Sequence, residues 1–294
     1  MTRRSLVVLV VIGVISLACA AQELNPKWEE LTAPDFVKAI AQSKNLCLLP
    51  FGIVEKHGPS GPLGTDLLNV RYLTLQAVKQ EYAVVFPEYY FGQIFEARQQ
   101  PGTLAYSTEL QLKLLTETMR EMSRNGCKKI LIVNGHGGNT NLINYFAQTQ
   151  LDSPKDYIVY AFSGLGGNQA DVPAAARASK PGVDGHAGEG EESNVMASRP
   201  DLVHPERAGE ESGANLRRLD LPTGVFTAIF WYASFPNHYQ GDAAGANAAR
   251  GAASIEFGAQ RLANAIRAVK ADQSGPRLQK EFFDAAQHPL DTKQ

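Results

Sequence analysis

The chain has 294 residues, 44% hydrophobic and 20% charged, with 28 Lys+Arg against 30 Asp+Glu. That composition excludes a disordered chain, and the formal net charge of −2 gives no electrostatic basis for binding nucleic acid or an anionic membrane. The length allows one large or two small domains with a sizeable core.

The predicted elements begin with a segment that precedes the fold. Arg3 and Arg4, an apolar run over residues 6–17, and Ala18-Cys19-Ala20 follow the basic, apolar, small order of a secretory signal peptide. The run is short for a membrane span; a buried N-terminal helix or membrane anchor is the alternative. Cleavage after residue 20 leaves residues 21–294 as one domain with a net charge of −4 and an exported, periplasmic destination. Cys19 raises the variant of a lipid anchor, although Ser16 stands where lipoprotein signals carry Leu. Cys47 and Cys127 both lie in apolar surroundings and are expected as buried free thiols rather than a bridge.

Short apolar runs at 45–52, 82–86, 129–133 and 157–162 predict buried strands. Helices are predicted over 68–81, 108–125, about 140–151, about 188–198 and about 245–271. The 108–125 helix is the clearest: Leu110, Leu114, Leu115, Met119 and Met122 form one stripe, Thr108 and Gln111 have capping-box spacing, and Gly126 ends it. Residues 225–232 are expected as a further strand. Strands separated by helices imply βαβ units, hence an α/β fold with a mainly parallel sheet and helices on both faces. The Gly/Ala/Pro-rich stretch 164–185 is expected as a long loop, either functional or mobile.

Six histidines are present. His57 and His136 directly follow predicted strands, where open α/β sheets carry their ligand sites. Glu55 and His57 are two residues apart and project to the same side of an extended chain. Asp66 follows after a Gly/Pro-rich turn that can fold it back. Two carboxylates and an imidazole suit Zn²⁺, Mn²⁺ or Fe²⁺ rather than Ca²⁺. His136 opens a His-Gly-Gly-Asn turn. His186, Glu189, Glu191 and Glu192 cluster at a helix start, where acids are also favoured by the helix dipole. His204, His238 and His288 lie outside these motifs.

In order, E-x-H-G…G-T-D (Glu55 to Asp66), P-G-T, N-G-H-G-G-N around His136, and H-A-G-E-x-E-x-S from His186 resemble the creatininase family over about residues 45–270. Gln240-Gly241-Asp242 before an Ala-rich helix is similar to its C-terminal pattern. The resemblance implies a three-layer α/β/α sandwich holding two divalent ions, Zn²⁺ first, with Mn²⁺ or Fe²⁺ as alternatives. It implies one ion held by Glu55 and His136, the other by His57 and Glu191, with Asp66 bridging. In creatininase itself the second ion's glutamate comes from the Asn-Gly-His turn; here that position is Gly138. The chain therefore resembles the deformylase-like and peptidase-like branches, which use the later glutamate, and this argues against creatinine as substrate. The resemblance further implies a metal-bridged hydroxide attacking a C–N amide bond in a small cyclic or formylated compound. His186 would be the general acid/base, Glu189 a secondary group that positions water or orients His186, and the assembly a homo-oligomer, commonly a hexamer. Ile94 and Ala97 stand where relatives carry Ser and His on the substrate side. That departure favours one alternative, an exported metal- or solute-binding protein without turnover; the loop 164–185, which could cover a small molecule or admit a peptide, keeps open another, a peptidase of the same fold.

Overall fold

The computed structural model describes residues 24–164, 170–179 and 184–293. The expected signal segment, Cys19 and parts of the 164–185 stretch lie outside the described residues. Four strands, β1 (Leu46–Phe51), β2 (Val84–Val85), β3 (Lys129–Asn134) and β4 (Ile158–Phe162), form one sheet in the order β2-β1-β3-β4, and all their pairings are parallel. The helices are α1 (Ala33–Gln42), α2 (Thr65–Val78), α3 (Thr108–Arg124), α4 (Asn139–Thr149), α5 (Glu189–Met196), α6 (Phe230–Ser234), α7 (Ala248–Ala271) and α8 (Ser274–Ala286).

The central strands read as unbroken apolar runs because both their faces are covered. Cys47, Leu49 and Phe51 of β1 and Ile130 and Ile132 of β3 point to one side, against α1, α3 and α4. Their alternates Leu46, Leu48, Leu131 and Val133 point to the other, against α2 and α7. This is the expected α/β/α sandwich. β1 leads through α2 on one face to β2, and β2 returns through α3 on the opposite face to β3. The winding therefore reverses between β1 and β3, and the crevice beyond their carboxyl ends is where such sheets bind ligands. Two glycines bring α2 against that crevice. A Cβ on Gly52 would meet Leu67 N at 2.7 Å, and one on Gly135 would meet the Val70 Cβ at 2.4 Å. Any larger residue at either position would push α2, and Asp66 with it, away from the strand ends.

The structure departs from expectation in four places. Residues 225–232 pair with no strand; the run ends in α6, and Val225, Phe226 and Ile229 are exposed. A short β-branched and aromatic run needs an available sheet edge to become a strand, and this one lies away from the sheet. Helices α1 and α8 were not expected. The N-cap of α3 is Ser107, whose hydroxyl accepts from the Leu110 N–H at 3.4 Å, rather than Thr108. Finally, Cys47 and Cys127 form a disulfide where two free thiols were expected. Cys127 lies in the turn that leads into β3, and the Lys128 and Lys129 N–H groups both donate to Asn45 O, at 2.9 and 3.1 Å, drawing that turn against the start of β1; the two cysteine Cα atoms are 5.6 Å apart.

Candidate metal centre

Glu55 and His57 lie just beyond β1, Asp66 is in the first turn of α2, His136 is two residues past β3, and Glu191 is in the first turn of α5. Each position is pinned by the backbone. Glu55 N–H donates to Leu63 O at 3.0 Å, Gly61 N–H to His57 O at 3.1 Å, and Thr65 Oγ1 to Pro62 O at 2.8 Å, so the 57–65 turn closes back on Glu55. Asn134 Oδ1 accepts from His136 N–H at 3.1 Å and fixes the exit from β3.

The five side chains expected as ligands come together, and their hydrogen bonds show what the cluster lacks. His136 Nε2 donates to the carbonyl of Gln93 at 3.1 Å. A carbonyl can only accept, so Nε2 carries a hydrogen, and in the neutral ring Nδ1 is bare. That bare nitrogen is 2.9 Å from Glu55 Oε1 and 2.9 Å from Asp66 Oδ2. His57 repeats the arrangement with its nitrogens exchanged: Nδ1 donates to Glu55 O at 3.2 Å, and Nε2 faces Asp66 Oδ1 at 3.5 Å and Glu191 Oε2 at 3.7 Å. Glu55 Oε1, His57 Nε2 and Asp66 Oδ2 are buried and accept no hydrogen bond. Packing acceptors against acceptors in a buried site is costly unless a cation lies between them. Tying one ring nitrogen to a carbonyl while aiming the other at carboxylates is how proteins orient metal-ligating histidines. The residues therefore fit a divalent-metal site, and Asp66 presents one oxygen to each histidine.

Without cations the charges fall on protons. Burial opposes the charged form of His57, but Asp66, Glu55 and Glu191 outweigh it and push its pKa to about 10. Burial likewise opposes the charge on His136, and Glu55 and Asp66 hold its pKa well above the usual imidazole range. Glu191 is pushed up to about 7 by burial.

His186 stands over this cluster. Its Nε2 donates to Lys56 O at 2.9 Å, leaving Nδ1 bare at 3.9 Å from Glu191 Oε2. Its ring centre is 4.5 Å from that of His57 and 4.3 Å from that of His238. Burial, reinforced by His57, lowers its pKa to about 3, so the ring is neutral.

Glu189 does not join the cluster. Its carboxylate pairs with Arg250 and accepts from Ser179 N and Oγ, each at 2.8 Å. Two residues on a helix are about 200° apart, so Glu189 and Glu191 cannot share a face. The role expected for Glu189 was to position water or orient His186; its carboxylate here points to Arg250 and Ser179. Ile94 and Ala97 are fully buried and pack with Ile53. His204 is exposed beside Glu206, as its position outside the motifs suggested.

Sequence reasoning missed His238. It is 2% exposed, and its Nε2 lies 2.5 Å from Glu55 Oε2. No local pattern marks it, because the pairing spans 183 residues. Beside Asp66, His136 and Glu191 opens a cleft of about 270 Å³. Its walls include Asn69, Thr140, Ser163, Asn194 and Ser254, and no Lys or Arg among the described residues. Asn69 Oδ1 and Asn194 Oδ1 are buried and without a partner.

A family model described as creatinine amidohydrolase matches residues 29–266. The mycofactocin precursor peptide peptidase of Mycolicibacterium smegmatis is 32% identical over 165 residues, covering 54% of this chain and 60% of that protein. The creatinine amidohydrolase of Pseudomonas putida is 24% identical over 121 residues, 39% of this chain and 46% of that protein. This chain thus spans about half the length of these curated relatives. Among solved structures, a creatininase superposes with a TM-score of 0.69 at 20% identity, covering 84% of this chain and 99% of that one. A manganese form of creatininase superposes at 0.68, also at 20% identity and with the same coverage. At this identity the superpositions speak for the fold.

Proposed function

This chain belongs to the creatininase family, and from that premise we propose that it is an exported, dinuclear metal-dependent hydrolase of C–N amide bonds in small molecules. The observation that carries the reading is Asp66, whose two oxygens face the bare nitrogens of two differently oriented histidines. Glu55, Asp66 and His136 would hold one ion, and His57, Asp66 and Glu191 the other. Bound divalent cations would polarise an amide carbonyl and bring a water's pKa toward neutrality. Donor chemistry supports Zn²⁺, with Mn²⁺ or Fe²⁺ as alternatives.

The chain's own groups divide the remaining work. His186 is neutral, held by Lys56 O through Nε2, and offers Nδ1 as a proton acceptor and later donor to the leaving nitrogen. Glu191 Oε2 accepts from Ala187 N–H at 2.7 Å, which fixes the carboxylate beside His186. The cleft is lined by the amides of Asn69 and Asn194 and the hydroxyls of Thr140, Ser163 and Ser254. It suits a small substrate that carries N–H or O–H donors. Its volume supports a small molecule; the similarity to a precursor-peptide peptidase favours, as a second reading, cleavage of a short peptide. The Cys47–Cys127 bridge supports export, since such bonds persist in oxidising compartments. Exposed Leu216, Val225, Phe226 and Ile229 support self-association, as the family resemblance implies.

The test is to purify the protein, measure bound metal, and screen it against lactams, formamides and short peptides. Turnover of a lactam or formamide that chelator abolishes and Zn²⁺ or Mn²⁺ restores is the expected result. Two bound ions with no turnover of any class would refute the enzyme and leave a binding protein.

A further inference from the structure

We propose that His238 and Trp231 form a relay that positions Glu55 and dictates which of its oxygens is free for a metal. The inference rests on the dinuclear reading above and adds a positioning pair to it.

Trp231 Nε1 lies 2.7 Å from His238 Nδ1. An indole nitrogen can only donate, so His238 Nδ1 accepts and the ring hydrogen is on Nε2. That N–H is aimed at Glu55 Oε2 at 2.5 Å. Glu55 is fully buried, so its two oxygens are separately accounted for: Oε2 is taken by His238, and Oε1 faces His136 Nδ1 at 2.9 Å with no hydrogen bond of its own. The relay therefore makes Glu55 a one-oxygen ligand directed at the ion shared with His136 and Asp66. Without it, Oε2 would be a second bare buried acceptor, free to chelate the same ion or swing toward its neighbour.

The same bookkeeping decides against reading Glu55, His186 and His238 as a third metal site, although these side chains are close enough to share an ion. Trp231 puts a hydrogen on His238 Nε2, and Lys56 O puts one on His186 Nε2. Both nitrogens nearest Glu55 Oε2 are donors and have no lone pair to offer.

The backbone shows what holding the ring there requires. His238 has φ +56°, the left-handed region that non-glycine residues seldom occupy. Such conformations persist where surrounding structure imposes them, characteristically at functional sites. Here the Phe235 carbonyl accepts the His238 N–H at 2.9 Å, and Trp231 fixes the ring.

The experiment is a competitive metal titration of the full chain with a chromophoric chelator, using Zn²⁺, and Co²⁺ absorption to distinguish the two ions. His238→Asn keeps a residue that tolerates the left-handed backbone but is too short to reach Glu55. It is expected to weaken one ion about 10–100-fold, the range for lost outer partners of metal ligands, while the ion at His57 and Glu191 is retained. Trp231→Phe, which keeps the ring and loses the N–H, should weaken the same ion by less. His238→Gln, which restores an N–H donor on a longer arm, should recover part of the loss. Equal loss of both ions, or unchanged affinity in His238→Asn, would overturn the relay, and so would uptake of a third ion that His238→Asn removes. A wild-type protein that takes up no Zn²⁺ or Co²⁺ would instead overturn the dinuclear reading beneath it.

Discussion

Replacing both Cys47 and Cys127 by alanine is expected to destabilise the fold severely, and the size of the effect follows from the chain length that the bridge closes. The two residues are 80 apart in sequence. In the chain-entropy treatment, a loop of that size removes about 15 cal/mol/K from the unfolded ensemble, or about 4.5 kcal/mol at 25 °C. Both side chains are fully buried against the α1/α3 face, so truncation also leaves small cavities costing about 1–2 kcal/mol together. At roughly 2–4 °C per kcal/mol for a chain of this size, the entropic part alone lowers Tm by about 9–18 °C. The assay is thermal unfolding of the wild type and the double variant, followed by circular dichroism, with thiol titration of the denatured wild type as a control. The wild type should show no titratable thiol among Cys47 and Cys127. A double variant melting within about 3 °C of the wild type, or two free thiols in the wild type, would refute the bridge and the support it lends to export.

Three further outcomes are expected. Burial, with neither carboxylate oxygen partnered, pushes the Glu192 pKa from 4.5 to about 8. The folded metal-free protein then binds one more proton than the unfolded chain between those values, so stability is full below pH 4.5 and lost as pH rises through 8; Glu192→Gln should remove that slope, of roughly 4–5 kcal/mol, in urea titrations run across this range, and an unchanged slope would contradict the assignment. His186→Gln should keep both ions and lose activity about 10²–10⁴-fold; loss of metal in its place would make His186 a ligand rather than a proton carrier. Arg250→Ala should lower thermal stability and leave metal content unchanged, because its partner Glu189 ties α7 to the 170–179 segment and not to the centre; loss of an ion would restore Glu189 to the site.

What could be read from sequence had local signals. β1 and β3 are apolar runs of a length that only doubly covered strands need, and α3 carries a regular stripe. His57 and His136 follow those strands directly, so a parallel sheet alone places them together. Asp66 follows from the Gly/Pro-rich turn, and it sits in a first helical turn that Gly52, Gly135 and the 57–65 turn hold close to the strand ends; Glu191 follows only from motif resemblance, and its helix is tied to α2 by Asn69 Nδ2, which donates to Glu191 O at 3.2 Å. The misses are of another kind. His238 depends on a contact 183 residues away and on Trp231, in a segment whose apolar run suggested a strand. Glu189 shares a motif with Glu191, but helical rotation sends it to Arg250. The cysteines read as free because their pairing spans 80 residues and depends on the turn before β3 folding against the start of β1.

A crystal structure of the metal-loaded protein, with anomalous diffraction at the metal edge, tests the proposed two-ion centre. Two peaks are expected, one contacting Glu55, Asp66 and His136 and the other His57, Asp66 and Glu191, with Asp66 touching both. A single peak, or peaks that leave Asp66 contacting only one ion, would contradict it.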